Sequence, residues 1–100
     1  MEHAITVTAH VQVRPGKEAE AEEVLRGLVS PTRAEPGCLG YELFAMDAKP
    51  GRYLFIEAWE SPGHLDRHLQ QPHVRAFISR SAELLSEPLN VSVWKSISGA

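Results

Sequence analysis

The sequence has a single cysteine, Cys38, no long apolar run and no block of like charge. One cysteine excludes an intramolecular disulfide and a cysteine-rich zinc site. No apolar stretch approaches the ~20 residues of a membrane span and none resembles a signal peptide, so we expect a cytoplasmic protein without a membrane partner. The net charge of −3 comes from scattered residues, which argues against nucleic-acid binding because that function requires a clustered basic face.

The composition that remains is typical of a globular protein, with 43% hydrophobic and 23% charged residues. We find no repeat, low-complexity tract or linker, so residues 1–100 are predicted to form a single domain. A chain of this size builds a modest core, and oligomerisation is a natural way to supplement it.

The segment AITVTAHVQV alternates strictly between apolar and polar residues, which predicts a β-strand with one buried face. That face carries Ile5, Val7, Ala9, Val11 and Val13. After Pro15-Gly16 a helix is predicted from Lys17, because helix formers follow and apolar residues recur at helical spacing. Its predicted buried stripe consists of Ala21, Val24, Leu25, Leu28 and Thr32. Pro31 is expected to kink the last turns, and Pro36-Gly37 to end the helix.

Two strands follow, CLGYELFAM and YLFIEAWE, joined by a turn at residues 47–52. The second strand has apolar or aromatic residues on both faces, which is typical of a central strand covered on each side. Its faces consist of Tyr53, Phe55, Glu57 and Trp59 on one side and Leu54, Ile56 and Ala58 on the other.

Two helical segments and a last strand complete the pattern. Ser61-Pro62 is typical of an N-cap followed by proline at the first helical position. Pro72 interrupts this helix and opens a second segment, whose stripe consists of Val74, Phe77, Ile78, Ser81, Leu84 and Leu85. After Pro88 the alternation of LNVSVWKSI predicts the last strand.

The resulting order, β-α-β-β-α-β, predicts a ferredoxin-like α+β fold with an antiparallel sheet. The helices cover one face of the sheet, which leaves either Leu54 and Ile56 or Phe55 and Trp59 on the uncovered face. An exposed apolar sheet face marks an association surface. We therefore predict a homodimer in which two sheets pack face to face.

The stretches RAEPGCLGYELF and FIEAWESPGHLDRHLQQPHVRAF resemble the antibiotic biosynthesis monooxygenase family. The shared features are E-P-G-C-x-G-Y on the second strand, I-E-x-W-E-S closing the third, and H-L-x-x-P-H across the two helical segments. Element order and length are similar over essentially the whole chain, and small quinol monooxygenase-like members look closest. The resemblance implies a dimeric α+β barrel, in agreement with the homodimer predicted from the strands.

The resemblance also implies a chemistry. Monooxygenases of this family oxidise polycyclic phenols with O2 and use no metal, flavin or haem. Such a site needs an apolar slot for the rings, a base near the phenol and a donor near the developing oxyanion. In anthrone-oxidising members an asparagine lies four residues before the strand-end tryptophan and a tyrosine six after it. Trp59 matches that tryptophan, whereas Phe55 and Leu65 occupy the other two positions.

Three residues are candidates for catalysis. His68 shares a helical stripe with Leu65 and Leu69, and histidine titrates near neutral pH as a general base requires; the alternative is a histidine at the edge of the core. Tyr41 could donate to a phenolate, or its hydroxyl could simply reach water. Glu57 on a central strand either pairs with a basic group, within the chain or across the dimer, or has a raised pKa and serves the site.

The candidates for substrate contact are Trp59, Phe55, Leu65, His73 and Phe77. Trp59 could equally belong to the core, and His73 could be a helix-terminus residue touching solvent. His64 and His68 have the spacing of metal ligands, but no glutamate shares their turn, so no metal is expected. Cys38 is expected to be a small buried residue without reactivity.

Other branches of the family are less similar at their functional positions. The haem-degrading branch uses an asparagine, a tryptophan and an axial histidine, where this chain has Ala9, His68 and Ile78, so haem degradation is not expected. An isomerase of a phosphorylated sugar keeps a similar H-x-x-x-P-H segment. A phosphosugar site needs convergent arginines or lysines, and this segment offers Arg67 and Arg75.

The leading hypothesis is a cofactor-independent monooxygenase that oxidises a quinol or polycyclic phenol with O2. His68 would be the base, Trp59 a wall and Tyr41 a donor. The alternatives are a small-molecule isomerase on the same fold and a non-catalytic dimeric ligand-binding protein. An enclosed cavity touching His68 favours an enzyme, whereas a cavity filled by Phe77 or Trp94 favours a structural or regulatory dimer.

Overall fold

The computed structural model describes residues 3–99 as one antiparallel sheet and four helices. The elements are β1 (Ile5–Gln12), α1 (Glu18–Gly27), α2 (Val29–Arg33), β2 (Cys38–Ala45), β3 (Arg52–Trp59), α3 (Pro62–Leu69), α4 (Pro72–Leu84) and β4 (Asn90–Trp94). The strand order is β2-β3-β1-β4, which confirms the ferredoxin-like α+β fold. None of the helices described is long and apolar enough to cross a membrane.

The two central strands supply the sheet side of the core. β3 pairs with β1 and β2, as its two-sided apolar pattern predicted. Its helix-facing side chains are Tyr53, Phe55, Glu57 and Trp59, and all four are buried. The alternation of β1 is confirmed as well, since its buried residues are Ile5, Val7, Ala9 and Val11. Val7 lies opposite Glu57 in the β1–β3 register, so this carboxylate leaves the sheet among apolar neighbours.

The first helical region is divided at Leu28, between α1 and α2. Pro31 lies within α2 and has no backbone N–H to donate to the preceding turn, so a regular helix cannot run through it. This confirms the predicted kink. Thr32 is completely buried as a result, and it faces the interior at the point where the site is built.

The chain turns sharply at both ends of α3. The backbone N–H of His64 donates to Oγ of Ser61 at 3.3 Å, and Pro62 occupies the first helical position, which confirms the predicted cap. Pro72 opens α4 after a break of two residues, Gln70 and Gln71. The sharp turn places one face of α3 and one face of α4 against the same side of the sheet.

The uncovered sheet face carries Leu54 and Ile56, the first of the two predicted alternatives. Ile56 is 40% exposed, Phe44 45% and Trp94 55%, although all three are large and apolar. Nε1 of Trp94 donates to Oγ1 of Thr8 at 2.9 Å, so the indole lies along this face. The face opposite the helices therefore exposes several large apolar side chains, set among the polar residues Thr6, Thr8 and Glu42.

Candidate active site

An apolar cavity of about 40 Å³ lies between the helix-facing side of the sheet and helices α3 and α4. Its polar wall residues are Tyr41 from β2, Glu57 from β3 and His68 from α3. Phe55, Leu65 and Phe77 contribute to the apolar part of the wall. The structure therefore brings six of the eight predicted site residues together around one cavity.

The cavity is smaller than the substrates that the family resemblance suggests. A cavity of about 150 Å³ accommodates benzene, so a cavity of about 40 Å³ holds no aromatic ring unless side chains move. Three lining residues are partly exposed, with 36% of Leu69, 46% of Ile78 and 42% of Val91 accessible to solvent. These residues are the part of the lining that reaches solvent, and we call them the mouth of the cavity.

His68 is held in place by a carboxylate that the sequence analysis did not assign to the site. Nδ1 of His68 lies 2.8 Å from Oε2 of Glu35, and the two side chains are only 5% and 7% exposed. The imidazole packs on the Trp59 ring at 4.7 Å between centroids, and the Tyr41 ring meets it edge-on at 5.7 Å. Contacts on several sides therefore fix the orientation of the imidazole.

The second ring nitrogen of His68 is not engaged by the protein. Among residues 3–99, Nε2 of His68 has no hydrogen-bond partner. No fully buried side-chain nitrogen or oxygen in this part of the chain lacks a partner. Since His68 lines the cavity and Glu35 occupies its Nδ1, Nε2 is the ring nitrogen that remains available to a ligand.

Glu35 also binds His73 through the same oxygen. Nε2 of His73 lies 3.1 Å from Oε2 of Glu35 and 3.0 Å from Oγ1 of Thr32. His73 does not line the cavity, and its side chain is 20% exposed. His73 therefore lies in the first turn of α4 and forms a cluster with Glu35, His68 and Thr32 outside the cavity wall.

Glu57 has no basic partner within the described part of this chain. Among the described residues, Oε1 of Glu57 accepts its hydrogen bond from Nε1 of Trp59, at 2.9 Å, and no arginine or lysine reaches it. Burial raises the pKa of Glu57, while the Trp59 hydrogen bond and the nearby His68 lower it. Burial is the largest of these effects, so the carboxyl at the cavity wall holds its proton more strongly than an ordinary glutamate.

Tyr41 is buried against Phe55, with the ring centroids 5.1 Å apart. Burial is the main cause that raises the pKa of Tyr41, and the negative charge of Glu57 adds to it. The Thr32 side chain acts in the opposite direction. Tyr41 therefore remains a phenol at neutral pH and can donate a hydrogen bond.

Trp59 and His64 lie behind the site. Trp59 is completely buried and does not line the cavity; it supports His68 and Glu57 from outside the wall.

Nδ1 of His64 lies 2.8 Å from Oγ of Ser61, and the His64 ring packs on Gly37. A Cβ at Gly37 would lie 2.1 Å from the His64 ring, and Gly37 has a φ of +81°. The glycine of the E-P-G motif is thus required by packing.

The described residues contain one group with the composition of a metal site, namely Glu35, His68 and His73. Their donor atoms all lie within 4.8 Å of one another. The helical pair His64 and His68 does not form such a group, because the two side chains bind different partners. In the group that does form, Oε2 of Glu35 is already engaged by both imidazoles.

The fold agrees with a family comparison. Residues 4–80 match the family model described as "Antibiotic biosynthesis monooxygenase". The match covers most of the chain, and the chain therefore belongs to the antibiotic biosynthesis monooxygenase family.

Individual relatives are identical to this chain at about one residue in three. Protein sll1783 of Synechocystis is 31% identical over 91 residues, and this chain spans 91% of its own length but only 62% of that protein. Rv0793 of Mycobacterium tuberculosis has a solved structure with a TM-score of 0.89, 31% identity and coverage of 97% and 98% of the two chains. The Escherichia coli K12 protein named "Probable quinol monooxygenase YgiN" is 32% identical, over 73% of this chain and 80% of its own.

Proposed function

We propose that the protein is a cofactor-independent monooxygenase that oxidises a quinol or polycyclic phenol with O2. The observation that carries this proposal is His68, an oriented imidazole that lines an apolar cavity and whose Nε2 has no hydrogen-bond partner among the described residues. An imidazole in such a position can take a proton from a phenol within reach, which is the step that makes an electron-rich ring reactive toward O2. The names of the family and of the YgiN relative support a monooxygenase and a quinol substrate.

The other wall residues have complementary roles in this proposal. Nε2 of His68 accepts the phenol proton, and the hydroxyl of Tyr41 donates to the phenolate that forms. Glu57, whose pKa burial raises, is a second proton donor on the same wall. Phe55, Leu65 and Phe77 contact the substrate rings. Trp59 supports His68 from behind, and His73 acts through Glu35 rather than by touching the substrate.

The oxidation is balanced without a further reductant. In an anthrone-type substrate, a ring CH2 activated by the phenolate becomes a carbonyl and supplies all four electrons that O2 requires. In a quinol, two electrons come from the ring C–H that becomes C–OH, and two come from oxidation of the quinol to the quinone. In both cases one oxygen atom enters the product and the other leaves with two hydrogens as water. The chain therefore needs to supply proton transfers and a dry cavity, and both are available from the residues described.

The proposed assembly is a homodimer with its sheets face to face. Phe44, Ile56 and Trp94 form an exposed apolar surface opposite the helices, and a second copy of the same surface would cover it. This assembly would be the dimeric α+β barrel that the family resemblance implies. The net charge of −3 gives no reason to expect nucleic-acid binding. A cytoplasmic location remains a prediction.

The small cavity favours one second candidate, a dimeric protein that binds a small apolar ligand without turning it over. The isomerase of a phosphorylated sugar is less well supported. Among the described lining residues there is no arginine or lysine to bind a phosphate.

Oxygen uptake with reduced naphthoquinols and anthrones tests the proposal, with a protein-free control for autoxidation. His68→Gln is compared with His64→Gln, a matched change on the same helix outside the cavity wall. We expect uptake above the control, a loss of about 100-fold in His68→Gln and near wild-type rates in His64→Gln. Ligand binding without uptake would replace the monooxygenase with the binding protein. Equal rates in the two variants would remove His68 as the base.

A further inference from the structure

One oxygen atom joins three elements that are distant in sequence. Oε2 of Glu35 lies 2.8 Å from Nδ1 of His68 and 3.1 Å from Nε2 of His73. Glu35 belongs to the loop before β2, His68 to α3 and His73 to α4. An ionised carboxylate only accepts hydrogen bonds, so both histidine nitrogens that face it must carry a proton.

This requirement decides the tautomer of His68. A neutral imidazole carries one proton, and Glu35 holds that proton on Nδ1. Nε2 is then unprotonated and has no partner in the described chain, which is the state that a general base needs. Without the carboxylate, the proton could reside on either nitrogen, and the tautomer with a proton on Nε2 could not accept another there.

His73 in turn fixes Glu35. Nε2 of His73 donates toward Glu35 and also lies 3.0 Å from Oγ1 of the buried Thr32. Glu35 occupies a loop, where nothing in its own secondary structure orients the side chain. The contact with α4 therefore supplies the second attachment that keeps its carboxylate pointed at α3.

We propose that Glu35 and His73 are positioning residues, with Glu35 selecting the Nδ1-protonated tautomer of His68 and His73 holding Glu35 in place. The proposal rests on the proposed function in that it assumes a role for unprotonated Nε2. The other titratable groups facing His68 are Tyr41 from β2 and Glu57 from β3, and neither is placed to bind Nδ1.

The tautomer can be read without any substrate. Long-range ¹H–¹⁵N NMR spectra of the full chain, with histidine ring nitrogens labelled, are recorded for wild type, Glu35→Ala, Glu35→Gln and Glu60→Ala. Glu60 is the matched control, because it is a carboxylate 3.8 Å from another histidine, His64. Wild type and Glu60→Ala are expected to show His68 protonated on Nδ1, and Glu35→Ala a mixture of tautomers. Glu35→Gln keeps an acceptor oxygen and is expected to restore much of the wild-type pattern.

Kinetics add a second readout. In Glu35→Ala, kcat is expected to fall at least about 10-fold with KM nearly unchanged, because orientation and not binding is lost. His73→Leu is expected to act in the same direction, while His73→Gln, which retains an N–H donor, is expected to recover part of the loss. The His73 variants keep the proposal testable if Glu35→Ala does not fold.

Three outcomes would overturn the proposal. In the first, the Nδ1-protonated tautomer persists in a folded Glu35→Ala variant. In the second, stoichiometric Zn²⁺ binds to Glu35, His68 and His73 and raises the activity, which would make the cluster a metal site. In the third, both His73 substitutions leave kcat unchanged. A normal tautomer pattern without oxygen uptake would instead contradict the proposed function and leave the positioning role intact.

Discussion

Nε1 of Trp59 donates to Oε1 of Glu57 across two positions of a single strand, at 2.9 Å. Residues two apart leave the same face of a strand, and the long indole closes the gap between them. The bond gives a buried carboxylate a donor where the described chain provides no basic partner. The bond also connects Glu57, which lines the cavity, to Trp59, whose ring packs on the imidazole of His68.

Trp59→Phe is expected to lower the free energy of unfolding by about 1–3 kcal/mol, because the buried acceptor on Glu57 loses its donor. Urea unfolding at fixed protein concentration measures the change. Tyr53→Phe is the matched control, since its hydroxyl also donates to a glutamate, but that residue, Glu22, is 40% exposed and keeps its bonds from Arg26, so we expect a change of at most about 0.5 kcal/mol. Equal effects of the two substitutions would contradict the importance of the bond.

The raised pKa of Glu57 predicts a pH dependence of stability. Above the ordinary value of 4.5, and up to its raised native pKa, the folded chain binds more protons at Glu57 than the unfolded chain does. The free energy of unfolding contributed by this residue therefore decreases as pH rises through that window. In urea titrations between pH 5 and pH 7, Glu57→Gln is expected to gain stability relative to wild type as pH rises. The exposed Glu23→Gln serves as control, and parallel curves for wild type and Glu57→Gln would refute the prediction.

Ile78→Ala is expected to widen the mouth of the cavity. Ile78 lines the cavity and is 46% exposed, so removing its branches admits larger rings at little cost in stability. For substrates that differ by one ring, the ratio of kcat/KM is expected to shift by about 10-fold toward the larger one. Leu39→Ala, an exposed aliphatic residue outside the cavity wall, is expected to leave the ratio unchanged. A shift of the same size in both variants would show that access is not controlled at Ile78.

Ile56→Asp is expected to convert the proposed dimer into a monomer, because it places a charge in the centre of the uncovered apolar face. Sedimentation velocity over a range of protein concentrations measures the assembly. Ala76→Asp adds the same charge at an exposed position on α4 and is expected to leave the dimer intact. A monomeric wild type, or a dimeric Ile56→Asp variant, would show that this face does not form the interface.

The strands and helices could be predicted because their signals are local. The alternation of β1 identifies its buried face, the two-sided pattern of β3 identifies a central strand, and Ser61-Pro62 marks the start of α3. Each of these signals depends on residues within a few positions of one another, and the structure confirms all three. The same local reasoning placed His68 on the buried face of α3.

The role of Glu35 could not be predicted in this way, because its partners are 33 and 38 residues further along the chain. The sequence gives a hint in the E-P-G motif, but that motif also marks an ordinary end of a helix, and Gly37 has a packing role of its own. The position of Trp59 was equally ambiguous. A strand-end tryptophan fits a cavity wall and a buried support alike, and only the three-dimensional packing on His68 distinguishes the two.

His68 and His73 share one oxygen of Glu35, and this has a consequence for the order of folding events. The loop before β2, α3 and α4 must all have docked before that oxygen has both of its partners, so partly folded chains with an ordered sheet would still lack an oriented base. During refolding, the tautomer of His68 would then report the last docking event, later than probes of secondary structure. The site would act as an internal indicator that folding has finished.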